Sequence, residues 1–217
     1  MRSVLLATLM LAFGAPAAHA AVTVDMRISP EEVRYGEPTE ITGTALLDGA
    51  PYANQPIRLE GRRYPFEDEF AVLEEGVTAA DGTYRFERDL DRNWDLRVSA
   101  GGATSARERV YVFPAFTLTY RARSARVVRL TQRYRVPRGV RLEKPTIFYL
   151  GPRSAKRAPR AATAELERIR AGRYRSTALV RLPAKWKGRF RYAACFRYTG
   201  GSGMGNPRVG CPRRHRF

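Results

Sequence analysis

Arg189-Phe-Arg-Tyr-Ala-Ala-Cys-Phe-Arg-Tyr198 is the stretch whose reading decides the fold. At a period of two, Phe190, Tyr192, Ala194, Phe196 and Tyr198 share one face, and Arg189, Arg191, Ala193, Cys195 and Arg197 share the other. Such a segment is a β-strand with rings toward a core and guanidinium groups toward water or an anion. The same grammar runs backwards through the second half. Phe116, Leu118, Tyr120 and Ala122 alternate with Thr117, Thr119, Arg121 and Arg123. Val128, Leu130, Gln132 and Tyr134 alternate with Val127, Arg129, Thr131, Arg133 and Arg135. Tyr174, Ala178, Val180 and Leu182 alternate with Arg173, Arg175, Thr177, Leu179 and Arg181. Six or seven such strands predict a sandwich over residues 114–217, with Trp186 folded over the core edge. Pro152 to Arg160 reads as a basic loop, and the glycines of 199–207 as a flexible hairpin.

Upstream, short strands and turns follow one another with no helical period. Val22 to Ile28 alternates, Tyr35-Gly36-Glu37-Pro38 is a turn, Ile57 and Leu59 alternate, and Asp81-Gly82 is a strong hairpin dipeptide before Tyr84 and Phe86. Leu96 with Val98 and Val110 with Val112 close the set, and Phe113-Pro114 is the joint. Seven short strands at regular spacing predict a second sandwich over 21–113. The fold class is therefore all-β: two tandem β-sandwiches of Ig-like or transthyretin-like type. They follow residues 1–20, whose apolar run Val4 to Phe13 and A-x-A site Ala18-His19-Ala20 read as a cleaved secretory signal. The chain has no later stretch approaching a spanning helix. The expected location is secreted or in the cell envelope.

Gly49-x-Pro51, Ile57-Arg-Leu59, Thr78-Ala-Ala-Asp81-Gly82-Thr-Tyr84-Arg-Phe86 and Asn93-Trp-Asp-Leu96-Arg-Val98 together resemble the carboxypeptidase-regulatory-like (transthyretin-like) sandwich. The resemblance covers about residues 22–113 and departs near Asn54, where the family usually carries a glycine. It implies a non-catalytic accessory or structural module and transfers no catalytic residue. The second half resembles C-terminal domains of actinobacterial exported proteins, a likeness that brings no mechanism.

Charge divides the chain. Residues 21–113 hold 11 arginines against 18 acidic residues, and residues 114–217 hold 27 basic residues against 3 glutamates. An asymmetry of this size points to an anionic partner for the basic half, or to docking of the acidic half upon it. The candidate surface is Arg121, Arg123, Arg129, Arg133, Arg135, Arg173, Arg175, Arg189, Arg191 and Arg197. Base-stacking platforms set aromatics beside cations, whereas here the rings face inward, so no specific nucleic acid is expected. Anionic envelope polymers or acidic glycans fit guanidinium better.

Other chemistries find little support. His215 is the only histidine after His19. Gly200-Gly-Ser202-Gly-Met204 misses G-x-S-x-G at its last position. Cys195 and Cys211 are the two cysteines, and an exported context predicts their disulfide, closing a loop of about 15 residues worth roughly 3 kcal/mol. Asp89, Asp91, Asn93 and Asp95 offer oxygen at every second position and form a calcium candidate. Trp94 and Ala100 stand where an EF-hand loop requires Gly and Glu. Glu67-Asp68-Glu69 with Glu74-Glu75 reads as a solvated loop. No catalytic residue, resident metal or cofactor is expected. The expected role is a non-catalytic binding or structural protein. The alternatives are a spacer with an unknown protein partner and a carboxylate-based hydrolase.

Overall fold

The computed structural model describes residues 20–153, 158–186, 188–195 and 200–206. The described residues are all-β, apart from one 3-10 turn at Gly200–Ser202. Its first half contains β1 (Val22–Val24), β2 (Arg27–Ser29), β3 (Glu32–Arg34), β4 (Pro38–Leu47), β5 (Ala50–Pro51), β6 (Pro56–Arg63), β7 (Ala71–Val77), β8 (Thr83–Asp89), β9 (Trp94–Ala100), β10 (Ala103–Thr104) and β11 (Glu108–Phe113). The long β4 centres one sheet, flanked by β1 and β2 on one edge and by β5 and β8 on the other. The second sheet runs β3-β11-β9-β6-β7, with β10 beside β9. Alternation drives the two faces together: Ile41, Tyr84 and Phe86 from the first meet Ile57, Leu59, Leu96, Val98 and Val110 from the second.

Local chemistry explains the breaks. The Val22 to Ile28 run splits at Asp25 because its carboxylate accepts from both the Thr44 N–H and the Thr44 hydroxyl, replacing a rung of the ladder. At the expected hairpin, Asp81 Oδ1 accepts from Thr83 N at 3.0 Å and Thr83 Oγ1 at 2.7 Å, and Gly82 takes a φ of 79°. Asn54 has a φ of 53°. Asparagine is among the few non-glycine residues that tolerate this region.

The second half contains β12 (Ala115–Ser124), β13 (Val127–Arg135), β14 (Thr146–Pro152), β15 (Arg160–Ala164), β16 (Glu167–Arg170), β17 (Arg173–Arg181) and β18 (Phe190–Cys195). They form a four-stranded sheet, β12-β13-β17-β16, and a three-stranded sheet, β15-β14-β18. Val128, Leu130, Ala178 and Val180 from the first pack on Phe148, Leu150 and Ala194 from the second, with Trp186 and Phe190 at the edge. In β18 the inward set Phe190, Tyr192 and Ala194 is as expected. Ala193 and Cys195 on the opposite face are also buried, at 6% and 2% exposed, so this end of the strand is covered on both sides. Phe196, Arg197 and Tyr198 lie outside the described residues, as does Cys211.

The core does not divide at Pro114. Tyr134, Val136, Val140, Leu142 and Tyr174 belong to the same buried cluster as the first sandwich. Burial pushes the Tyr134 hydroxyl up to about 12, opposed by its bond with Thr146. Residues 200–206 are not the flexible hairpin that their glycines suggest, because they return to the first sandwich. Met204 is fully buried in its core. Asn93, 2% exposed, donates its backbone N–H to Gly203 O at 2.8 Å and its Nδ2 to Gly205 O at 3.0 Å. Its Oδ1 accepts from Val112 N at 2.8 Å, while Gly205 N donates to Val112 O at 2.7 Å. A Cβ on Gly203, whose φ is 63°, would stand 2.7 Å from Tyr64 Cδ1, so only glycine fits that passage.

Asn93→Ala would strand the Val112 N–H and the Gly205 carbonyl in the interior, at about 1–3 kcal/mol for each unsatisfied group. Met204→Ala should cost about 2–5 kcal/mol. For either variant, urea unfolding followed by tryptophan fluorescence should show a lower midpoint for the whole molecule. Trp94 reports on the first half and Trp186 on the second, and the two should lose structure together.

Candidate functional site: the outer face of the basic sheet

In β13 the odd-numbered residues point away from the core, and registry carries that face across the sheet. Arg121 on β12 lies opposite Arg129, which lies opposite Leu179 on β17. The next row outward is Thr119, Thr131 and Thr177. Then come Thr117, Arg133, Arg175 and, on β16, Glu167. The last row is Ala115, Arg135, Arg173 and Arg170. Arginine therefore faces arginine at Arg121–Arg129, Arg133–Arg175, Arg135–Arg173 and Arg173–Arg170. Like charges directly opposite across a ladder destabilise it. Rows succeed one another about every 6.7 Å along the strands, and strands lie about 4.8 Å apart.

Two clefts occupy this face. One, of about 420 Å³, is lined by Thr119, Arg121, Arg129, Thr131, Arg133, Glu167, Arg175 and Thr177. The other, of about 570 Å³, shares Arg133 and Arg175 with it and adds Phe116, Arg135, Ile169, Arg170 and Arg173. Both Ile169 and Leu179 are large apolar residues left exposed beside the arginines.

Of the ten sequence-predicted arginines, Arg121, Arg129, Arg133, Arg135, Arg173 and Arg175 come together here. Arg123 is exposed near the irregularity between Ala122 and Ser124, at the far end of β12. Arg189 and Arg191 line a separate cleft on the other sheet, with Tyr120 and Tyr192 stacked at 5.2 Å. Burial raises the Tyr120 hydroxyl's pKa, and Tyr192 adds to the shift. Arg197 lies outside the described residues. The face also includes Arg170, Thr119, Thr131 and Thr177, none of which the sequence reading named as site residues. A cross-strand register would have been needed to find them.

Ion pairing separates the halves more sharply than composition does. Within the first half, the pairs among described residues include Arg58–Glu75, Arg85–Glu40, Arg88–Glu74 and Arg97–Glu60. Asp95, fully buried, takes Arg62, Arg107 and Arg109 at 3.3, 3.5 and 2.6 Å. Arg109 also lies 3.9 Å over the Phe66 ring. Among the described residues the second half shows one pair, Arg175–Glu167 at 2.7 Å. The two halves do touch, through Arg34 over Phe116 at 4.8 Å, Arg135 over Tyr35 at 5.5 Å and Asn206 Nδ2 to Glu32 at 2.8 Å. These are ring and hydrogen-bond contacts. Among the described residues no acidic side chain of the first half forms an ion pair with the arginine face.

The calcium candidate is dispersed. Asp91 accepts from Trp94 Nε1 at 3.1 Å and from Arg92 at 3.2 Å. The Asn93 amide is turned inward onto Gly205 and Val112, and Asp95 is enclosed by its arginines. Among the described residues no group of three His, Cys, Asp or Glu side chains is placed to hold a metal ion. Burial raises the pKa of Glu108, and exposed Glu31 adds to it.

No protein family and no curated protein matches the chain. Solved structures that show a distant likeness include two macroglobulins and an adhesin. Escherichia coli alpha-2-macroglobulin in its native conformation has a TM-score of 0.33 at 18% identity, over 84% of this chain and 14% of that one. A Salmonella alpha-2-macroglobulin mutant has 0.31 at 16%, over 79% and 14%. The Yersinia pseudotuberculosis adhesin InvE has 0.35 at 13%, over 88% and 59%. The chain thus spans about one seventh of the macroglobulins it matches. Likeness at this level carries no argument of its own, and the β-sandwich architecture rests on the strand registers above.

Glu60 gives a pH signature. Burial pushes its pKa up, but hydrogen bonds from Ser99 and Arg97 and the charge of Arg97 outweigh this and hold it below 4.5. Its stabilisation is therefore present above the unfolded pKa and is lost as pH falls through the folded one. Glu60→Gln should be less stable than the parent near neutrality, and the gap should close as pH falls through the lowered folded-state pKa, below the ordinary glutamate range. Urea midpoints measured from neutrality down through that pKa check it.

Proposed function

We propose that this protein is a non-catalytic binding module of the cell exterior or envelope, and that the outer face of β12-β13-β17-β16 engages an anionic polymer. We read the first sandwich as a carboxypeptidase-regulatory-like support that carries this face. The observation that carries the reading is the run of arginines set directly against arginines, with one glutamate among them. The first half, by contrast, answers most of its cations internally. A surface that keeps mutually repelling guanidinium groups in register gains free energy when a polyanion is laid across it. The apolar run Val4 to Phe13 and the site at Ala20 support export, and export supports a Cys195–Cys211 bond. If that bond forms, a thiol-reactive label added after denaturation without reductant should modify neither cysteine.

Binding of the full chain to immobilised heparin, titrated with salt, tests the reading. Arg133→Gln/Arg135→Gln/Arg173→Gln should weaken binding at least about tenfold and lower the slope of log K against log salt by roughly two to three. Arg85→Gln, on the self-paired first half, should leave both unchanged. Equal loss in the two variants, or none in the triple, would end the proposal.

A further inference from the structure

The central row of the arginine face points to the chemistry of its ligand. Thr131 is on the outer face yet only 8% exposed. It lies between the Arg129 and Arg133 positions along its own strand and between Thr119 and Thr177 across the sheet. It is thus the floor of the 420 Å³ cleft rather than part of an open surface. Its hydroxyl faces that of Thr177 at 3.4 Å, and Thr119 Oγ1 donates to Thr131 O at 3.3 Å. A threonine hydroxyl has one proton and two lone pairs. Two of the three protons have partners within the row, because only one of Thr131 and Thr177 can donate to the other, so the row offers more lone pairs than free protons. Glu167, held by Arg175 Nε at 3.1 Å and Nη2 at 2.7 Å, adds carboxylate acceptors at the rim.

The cleft therefore alternates cationic walls with an acceptor-bearing floor. A ligand made only of phosphate oxygens would satisfy the walls but find one free hydroxyl proton and otherwise lone pairs over the floor. A ligand carrying O–H donors between its anionic groups satisfies both. Resting on the reading above, we infer that the anionic polymer is an acidic polysaccharide, with Thr119, Thr131 and Thr177 accepting from sugar hydroxyls while arginines on either side hold its sulfate or carboxylate groups. The Arg121–Arg129 and Arg133–Arg175 rows are about 13 Å apart along the strands. Anionic groups on either side of an uncharged, hydroxyl-bearing stretch match that spacing.

The test uses the full chain, three probes (heparin, inorganic polyphosphate and polyglutamate) and two threonine variants. Thr119→Val/Thr177→Val keeps shape and strand preference but removes two hydroxyls. It should weaken heparin binding about tenfold and change polyphosphate binding less than twofold. Thr119→Ser/Thr177→Ser, which retains both hydroxyls, should restore heparin binding and so distinguishes chemistry from misfolding. Unchanged heparin binding by the valine variant overturns the inference while leaving the arginine reading intact, as does an equal fall on heparin and polyphosphate. Polyglutamate bound as tightly as heparin, with the same dependence on the hydroxyls, overturns it in favour of an acidic peptide. If the arginine triple variant binds heparin normally, the underlying reading falls first.

Discussion

The arrangement of the two halves depends on one buried amide. Asn93 bonds to Gly203, Gly205 and Val112 at once, and it does so 2% exposed, where an unanswered polar group is costly. The amide suits the position because it presents a donor and an acceptor on one planar group. An aspartate would have no donor for the Gly205 carbonyl, and a leucine would have neither. Once these bonds are made, Met204 is carried into the core, and the chain that leaves β18 is tied to the strand pair β9–β11. This returning segment thereby adds to the Phe113-Pro114 joint, the shared core around Tyr134 and Tyr174, and the ring contacts of Arg34 and Arg135.

The fixed geometry matters for the arginine face because a flat cationic sheet works as a binding surface only if its rows stay in register. The β13–β17 ladder is continuous from Val127↔Arg181 to Arg135↔Arg173. Its repulsion is borne by the core beneath, where Leu130, Phe148 and Leu150 are fully buried. The first sandwich spends its arginines differently. Asp95 gathers three of them, and two come from positions directly opposite it on neighbouring strands, Arg62 and Arg109. One residue type thus holds a sheet together on one side of Pro114, whereas on the other, among the described residues, Arg175 alone is ion-paired, with Glu167.

What could be read from residues alone was what the two-residue repeat controls. The inward set Val128, Leu130 and Tyr134 and the outward arginines of β13 follow from pleat geometry, which is local. Asp81-Gly82 announced its turn through its own side chain. What could not be read depended on which strand lies beside which. Asp95 looked like a cation ligand because carboxylates look alike until their neighbours are known, and its neighbours are arginines brought by register. Thr131 looked like an ordinary outward threonine, and its burial comes from flanking strands on both sides. Asn93 and Gly205 are 112 positions apart, so no local pattern could show that a glycine-rich stretch closes a distant core rather than looping freely.

The return of residues 200–206 has a consequence for biogenesis. A chain emerging amino-terminus first, from a ribosome or through a membrane pore, presents β1 to β11 long before Met204 arrives. Until then the amino-terminal sandwich lacks one of its interior side chains, and the Val112 carbonyl lacks its Gly205 partner. Contacts of such long sequence separation are slow to form and leave apolar surface uncovered meanwhile. Against that exposure stands the charge of the same half, 18 acidic residues to 11 arginines, since like-charged chains repel.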